Sequence, residues 1–412
     1  MIQKVRYYIF LRDVFILSLT SFGGPQAHFA FFLEKFVKIR SYLTEEELVE
    51  LFALCNILPG PTSTQTVTSI GFRIGGPNLA YLTLLVWITP AVTVLLLAGI
   101  FLNHYVEKNA SLEFARFIQP MAVGFVSYAA FVISRKVVIS RTAVILCIIS
   151  AIISFSLRKP YIFPILLLMS GFVTGFKYRK HPIEEKSPIR IQWANFLLWG
   201  GVLLFAALLG GITRERSILL FENFYRNGSL IFGGGQVLIP FLYTEFVQFK
   251  HYLTAQEFLS GYAIAQAIPG PVFSFSAFVG TISMRDLGIG GEILGGLMAA
   301  AGIFLPGTFL IFFVIRFWED LKKYRVVRAS LEGISAASAG MVISAALILF
   351  FQPFNAAFTT SDWMEVMRQL FLLLWNNPVY LGLVLLTFLT LRYTKIPAPF
   401  IIISGLIAGF LF

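Results

Sequence analysis

Two runs of the chain, LAYLTLLVWITPAVTVLLLAGIFL (79–102) and WANFLLWGGVLLFAALLGGI (193–212), contain no Asp, Glu, Lys or Arg. Each reaches the roughly 20 apolar residues with which an α-helix crosses a bilayer. The rest of the sequence agrees, since 57% of the 412 residues are hydrophobic and only 13% are charged, with a mean hydropathy of +0.80. A soluble domain carries about a quarter charged residues. These features predict an all-α polytopic membrane protein. Its start, MIQKVRYYIFLRDVF, has early basic residues but no apolar stretch leading to a small-residue cleavage site. No removable signal peptide is expected, and the N-terminus is expected on the cytoplasmic side of the cytoplasmic (inner) membrane.

A net charge of +11 would suit a nucleic-acid binder, but cytoplasmic loops of membrane proteins collect Lys and Arg. The run KYRKHPIEEKSPIR (177–190) reads as such a loop, and no nucleic-acid partner is expected. Cys55, Cys147 and four scattered histidines have neither the spacing of a metal site nor a disulfide framework, so no cofactor is expected.

Sliding the chain against itself by 210 residues uncovers a duplication. Over positions 22–61, without a gap, fifteen of forty residues are identical to those 210 further on, where composition alone gives roughly three. SFGGPQ answers to IFGGGQ (231–236), YLT (42–44) to YLT (252–254), and LPGP (58–61) to IPGP (268–271). The register later slips by six, pairing Pro90 with Pro306 and Gly124 with Gly340. We therefore expect a first repeat at 9–177, a linking loop and span at 178–216, a second repeat at 217–391, and a short last span at 392–412.

Loop charge indicates how the copies are oriented, because membrane orientation follows Lys and Arg. RKVVISR (135–141) has three basic residues, while the matching FQPFNAA (351–357) has none. Conversely FLNHYVEKNASL (101–112) has one where RFWEDLKKYRVVR (316–328) has five. The bias reverses at both places. Two inverted-topology repeats are expected, with the single extra span at 193–213 turning the second copy over.

Each copy also contains two breaks, FGG(P/G) and PGP, flanked by apolar segments too short to span alone: 9–22, 25–36, 47–58 and 62–72 in the first copy. Helices end in mid-membrane only where the freed backbone groups are buried in protein or face water. Such breaks predict re-entrant helices that meet near the midplane, as in many secondary transporters. A helix that restarts there presents free N–H groups and a positive dipole end, an anion site. A proline suits its first turn.

The candidate ligands follow from position. After the first PGP (Pro59, Gly60, Pro61) come Thr62, Ser63, Thr64, Gln65 and Thr66. After the second (Pro269, Gly270, Pro271) come Ser274 and Ser276, opposite Thr64 and Thr66. At the other breaks stand Gly23, Gly24, Pro25, Gln26 and His28, and Gly233, Gly234, Gly235 and Gln236. Back-bonding to the helix is the competing reading for every hydroxyl, and close packing for every glycine. Glu47 and Glu257 recur as well, but each follows a YLT at helix-start spacing, which predicts a capping box. Arg73 reads as an interfacial anchor. His28 has Leu238 opposite it, so it belongs to one copy only.

FGGPQAH followed some thirty residues later by LPGPTSTQ, with FGGGQ and AIPGP in the second half, resembles the chromate ion transporter family in its long, two-domain form. The resemblance implies chromate as substrate and efflux that confers resistance. The family's motif residues fall on Gly23, Gly24, Pro25, Ala27, His28, Pro59, Gly60 and Pro61, and in the second half on Gly233, Gly234, Pro269, Gly270 and Pro271. Gly235 in place of proline, and the missing second histidine, depart from the pattern. The implied partners are the oxyanion (chromate, with sulfate as the alternative), the bilayer and, as an open expectation, a second copy of the chain.

The expected mechanism is alternating access by a secondary transporter, with the dianion between the broken tips. The sequence leaves open proton coupling through His28, Glu47 or Glu257. A sulfate importer or an anion channel would fit the same pattern. An enzyme is not expected, since H-E-x-x-H, G-x-S-x-G and paired intramembrane aspartates are all lacking.

Overall fold

The structure, a computed structural model, describes residues 2–22, 24–106, 117–157, 159, 161–176, 193–232, 235–315, 324–351, 377–394, 396 and 398–411. Among these residues there are helices and turns and no strand. Four helices are long and apolar enough to cross a membrane: Thr62–His104, Ala194–Thr213, Arg285–Val314 and Ala329–Phe351. This is an all-α membrane protein.

Helix α1 (Ile2–Thr20) ends at the first break, and α2 (Gly24–Phe32) runs on into a π-helical turn, Leu33–Ile39. Helix α3 (Glu45–Ile57) leads to the first PGP, after which α4 spans Thr62–Val106. α4 is broken at Gly75 and Gly76, so its first part is a half-helix of little more than a dozen residues. At 1.5 Å per residue, α3 and that half-helix each reach about 20 Å, short of the roughly 30 Å hydrocarbon core. They form a re-entrant hairpin with PGP at its tip.

The second copy repeats this in detail. Its counterparts are α9 (Arg216–Leu230), α10 (Gly235–Leu242) with a π-turn at Tyr243–Phe249, α11 (Ala255–Ala267), α12 (Phe275–Ser283) and α13 (Gly288–Val314). The two π-turns and the starts of α3 and α11 are each 210 residues apart. Thr44 and Thr254 both close the expected capping boxes, with Glu47 and Glu257, each worth about 1 kcal/mol. Ser41 (φ 50°) and His251 (φ 54°) share the left-handed conformation. Gly76 (φ 74°) and Gly288 (φ 68°) match at 288 − 76 = 212, so the slip of register is spread along the chain.

The first copy continues with α5 (Ile118–Val137), α6 (Arg141–Leu157) and α7 (Ile162–Gly175), and α8 (Ala194–Thr213) links it to the second. After α13 come α14 (Arg325–Phe351), α15 (Pro378–Tyr393) and α16 (Ala398–Leu411). α14 packs against α5, α6 and α7, so the later helices of the two copies interleave. α1 packs on α4 as α9 packs on α13.

The corresponding helices α4 and α13 lie antiparallel. Tyr81, early in α4, meets Phe312 at the far end of α13 with ring centroids 5.3 Å apart. Asn103 and His104, at the end of α4, meet Glu292 near the start of α13. This is the packing that inverted copies require.

Buried ion pairs hold the first hairpin of each copy. Asp13, fully buried, accepts from Arg40 Nε at 2.6 Å and faces Lys35 Nζ at 3.2 Å. Glu245, the counterpart of Lys35, faces Arg226 at 3.1 Å and Lys250 at 3.8 Å. The carboxylate has moved from the outgoing to the returning leg, yet the pairing survives. Arg73 pairs with Glu47 at 3.0 Å, and Arg285 pairs with Glu257 in the other copy.

Candidate oxyanion site at the broken helices

The sequence places four breaks in the chain, and the structure brings them together. The Gly60 N–H donates to the Ile231 carbonyl at 2.8 Å, and the Gly270 N–H donates to the Ser21 carbonyl at 2.9 Å. Since 270 − 60 and 231 − 21 both equal 210, these are one interaction made twice, each PGP tip of one copy capped by the FGG break of the other. Gly235, after the second FGG break, packs on Val272, just past the second PGP.

Glycine is required at both tips by conformation and by space. Gly60 has φ 115° and Gly270 φ 104°, a region that side chains disfavour. A Cβ on Gly60 would lie 3.1 Å from the Gly307 Cα, and one on Gly270 would lie 3.1 Å from the Ala91 Cβ. The expectation that tip amides face the anion is therefore corrected for Gly60 and Gly270, whose N–H groups are spent on the opposite copy. The first-turn amides of Thr62, Ser63 and Thr64 have no intrahelical acceptor, as at any helix start.

The side chains after each tip divide into two groups. Thr66 bonds back to the Thr62 carbonyl at 2.8 Å, as the competing reading had it. Gln65 Nε2 donates to the carbonyls of Pro59 at 2.9 Å and Gly307 at 3.0 Å, fastening the tip to α13. Thr64, Ser274 and Ser276 are buried with hydroxyls that have no partner, and so is the Gln65 Oε1. Ser274 and Thr64 stand at equivalent positions. Buried polar groups are seldom left unpaired, and unpaired hydroxyls at helix starts can donate to an oxyanion.

His28 is fully buried, with its Nε2 3.2 Å from the Ser21 carbonyl and its ring edge-on to Trp87 at 5.3 Å. A carbonyl only accepts, so Nε2 carries the proton. In the neutral ring, Nδ1, which has no partner, is then an acceptor that does not suit an oxyanion. His28 thus braces the break that also receives the Gly270 amide. Pro25 occupies the first turn of α2, as expected. Gly24 has φ 79°. Gly23, Gly233 and Gly234, and the side chains of Gln26 and Gln236, lie outside the described residues.

The sequence reading missed Ser21, Thr68, Trp87 and Asn227, each buried with an unpartnered polar atom. Asn227 lies one turn before IFGGG, and its nearness to the break was the signal. Like Asn227, which has Leu17 opposite it, the others occur in one copy only, so recurrence gave no signal for them.

A family model described as chromate transporter matches residues 9–176 and 218–410. A probable chromate transport protein of Synechococcus elongatus is 25% identical over 404 residues, 96% of this chain and 93% of that one. The chromate transport protein of Pseudomonas aeruginosa is 25% identical over 79% of this chain and 76% of its own length. An uncharacterized transporter of Methanocaldococcus jannaschii is 25% identical over 80% of each. No solved structure matches. With both halves of the sequence matched and both sets of breaks in place, the chain belongs to the chromate transporter family.

Proposed function

We propose that this protein is a secondary transporter that moves chromate out across the cytoplasmic membrane by alternating access, its N-terminus on the cytoplasmic side. The two repeats, taken as 9–177 and 217–391, act as opposed halves around the anion. Thr64, Ser274 and Ser276 donate to it, with the first-turn amides after Pro61. The observation that carries this reading is the set of buried, unpartnered hydroxyls just after two PGP tips, each of which is hydrogen-bonded to the FGG break of the other copy. Family membership and the names of the relatives support chromate as the substrate.

Outward movement of a dianion is favoured by an inside-negative potential, by about 4.6 kcal/mol per 100 mV for two charges. The test is flux of labelled chromate in proteoliposomes of fixed orientation and imposed potential, with sulfate as competitor. Saturable flux that follows the potential is expected. Sulfate carried faster than chromate would reassign the substrate, and unsaturable flux would make the protein a channel.

A further inference from the structure

At the other end of α4, away from the tips, Glu292 is completely buried near the start of α13. Its Oε1 accepts from Asn103 Nδ2, and its Oε2 lies 3.2 Å from His104 Nε2. The His104 side chain is 46% exposed, against 0% for Glu292. A buried carboxylate therefore meets a half-exposed imidazole. Inward from it, Thr281 packs against Gly99 of α4 and Gly296 of α13, its hydroxyl without a partner.

Among the described residues, the charged groups on the elements packed against α13 are paired. α8 has no titratable residue, and neither has α12. On α9 and the turn before α13, Arg216 pairs with Asp286, Arg226 with Glu222 and Glu245, and Arg285 with Glu257. His104 is the titratable group that faces Glu292 from α4. The pair also joins the first copy to the second, which none of the other ion pairs described above does.

We propose that Glu292, His104 and Asn103 form a proton-binding site that makes transport pH-dependent, an inference that rests on the transporter reading above. The pair takes up or releases one proton through His104, and its net charge changes by one. Because α4 and α13 belong to opposed copies, a proton bound there alters the contact that the copies must change in order to alternate. Asn103 holds the carboxylate in place in either state.

The experiment compares wild type, Glu292→Gln and His104→Gln in proteoliposomes, following labelled chromate and an internal pH dye together. For wild type, proton movement accompanying chromate is expected, with rates differing about tenfold between roughly pH 5.5 and pH 8. In each variant that ratio falls to within about twofold and the proton signal is lost. Wild-type flux that is flat with pH, or variants that keep the wild-type profile, overturn the proposal. If wild type moves no chromate at all, the transporter reading fails instead. The proton site is then judged by infrared difference spectra between the same pH values. A carboxylate or imidazole component lost in both variants supports the site, and spectra unchanged in both overturn it.

Discussion

Thr64 and Thr66 sit two residues apart on one half-helix, and their hydroxyls do different things. Thr66 bonds to its own helix, while Thr64 bonds to nothing in the protein. Removing a hydroxyl that donates to an anion loses roughly 1.5–3 kcal/mol, about a ten- to hundredfold rise in dissociation constant. Thr64→Val and Ser274→Ala should show that loss in chromate binding to purified protein, and Thr66→Val should stay within about twofold of wild type. Equal losses in all three would remove the distinction. The sequence marked these positions through their recurrence but did not separate them. A helical threonine has two accessible χ1 wells, one of which reaches back to the preceding turn, and neighbouring helices decide between them. The capping glutamates were legible for the opposite reason, since every partner in a capping box lies within three residues.

The breaks were the most legible elements, because glycine and proline act locally on the backbone. What they were for was less plain, since the acceptors for Gly60 and Gly270 lie on the other copy. Nor did any residue type announce the π-turns at Leu33–Ile39 and Tyr243–Phe249, whose wider hydrogen-bonded loop has no side-chain signature. Two glycines with positive φ separate strain from crowding. Gly24 has open space where a Cβ would go, while Gly60 has the Gly307 backbone. Gly24→Ala should cost about 1–2 kcal/mol from conformation alone. Gly60→Ala should add a steric clash and reach about 3 kcal/mol or more. Thermal unfolding in detergent measures both, and a Gly60→Ala protein no less stable than Gly24→Ala would contradict the packing at the tip.

Over the whole molecule, inversion was legible in the charge of the loops, although 107–116, 316–323 and 352–376 lie outside the described residues. The antiparallel contact of α4 with α13 carries the same conclusion from packing. Asn78, exposed just after the kink in α4, and Ile289, exposed at the start of α13, stand at opposite ends of that pair. Cysteines at 78 and 289 should react with an impermeant reagent from opposite sides of the membrane, and Cys55 and Cys147 are buried. Labelling of both from one side would refute the inverted arrangement. The interleaving of α14 with α5, α6 and α7 was not legible, because apolar helices carry no address for their neighbours.

The exchanged bonds at Gly60 and Gly270 also constrain how such a molecule can change over generations. Each copy completes the other's backbone, so a half left alone would keep a buried amide without an acceptor, at a cost of about 1–3 kcal/mol. The chain is in effect an obligate dimer written on one gene, and a change at either tip is felt at the break of the opposite copy. The two halves are free to diverge in their side chains, as the moved carboxylate of Asp13 and Glu245 illustrates. They are not free to diverge in the path of the main chain where they meet.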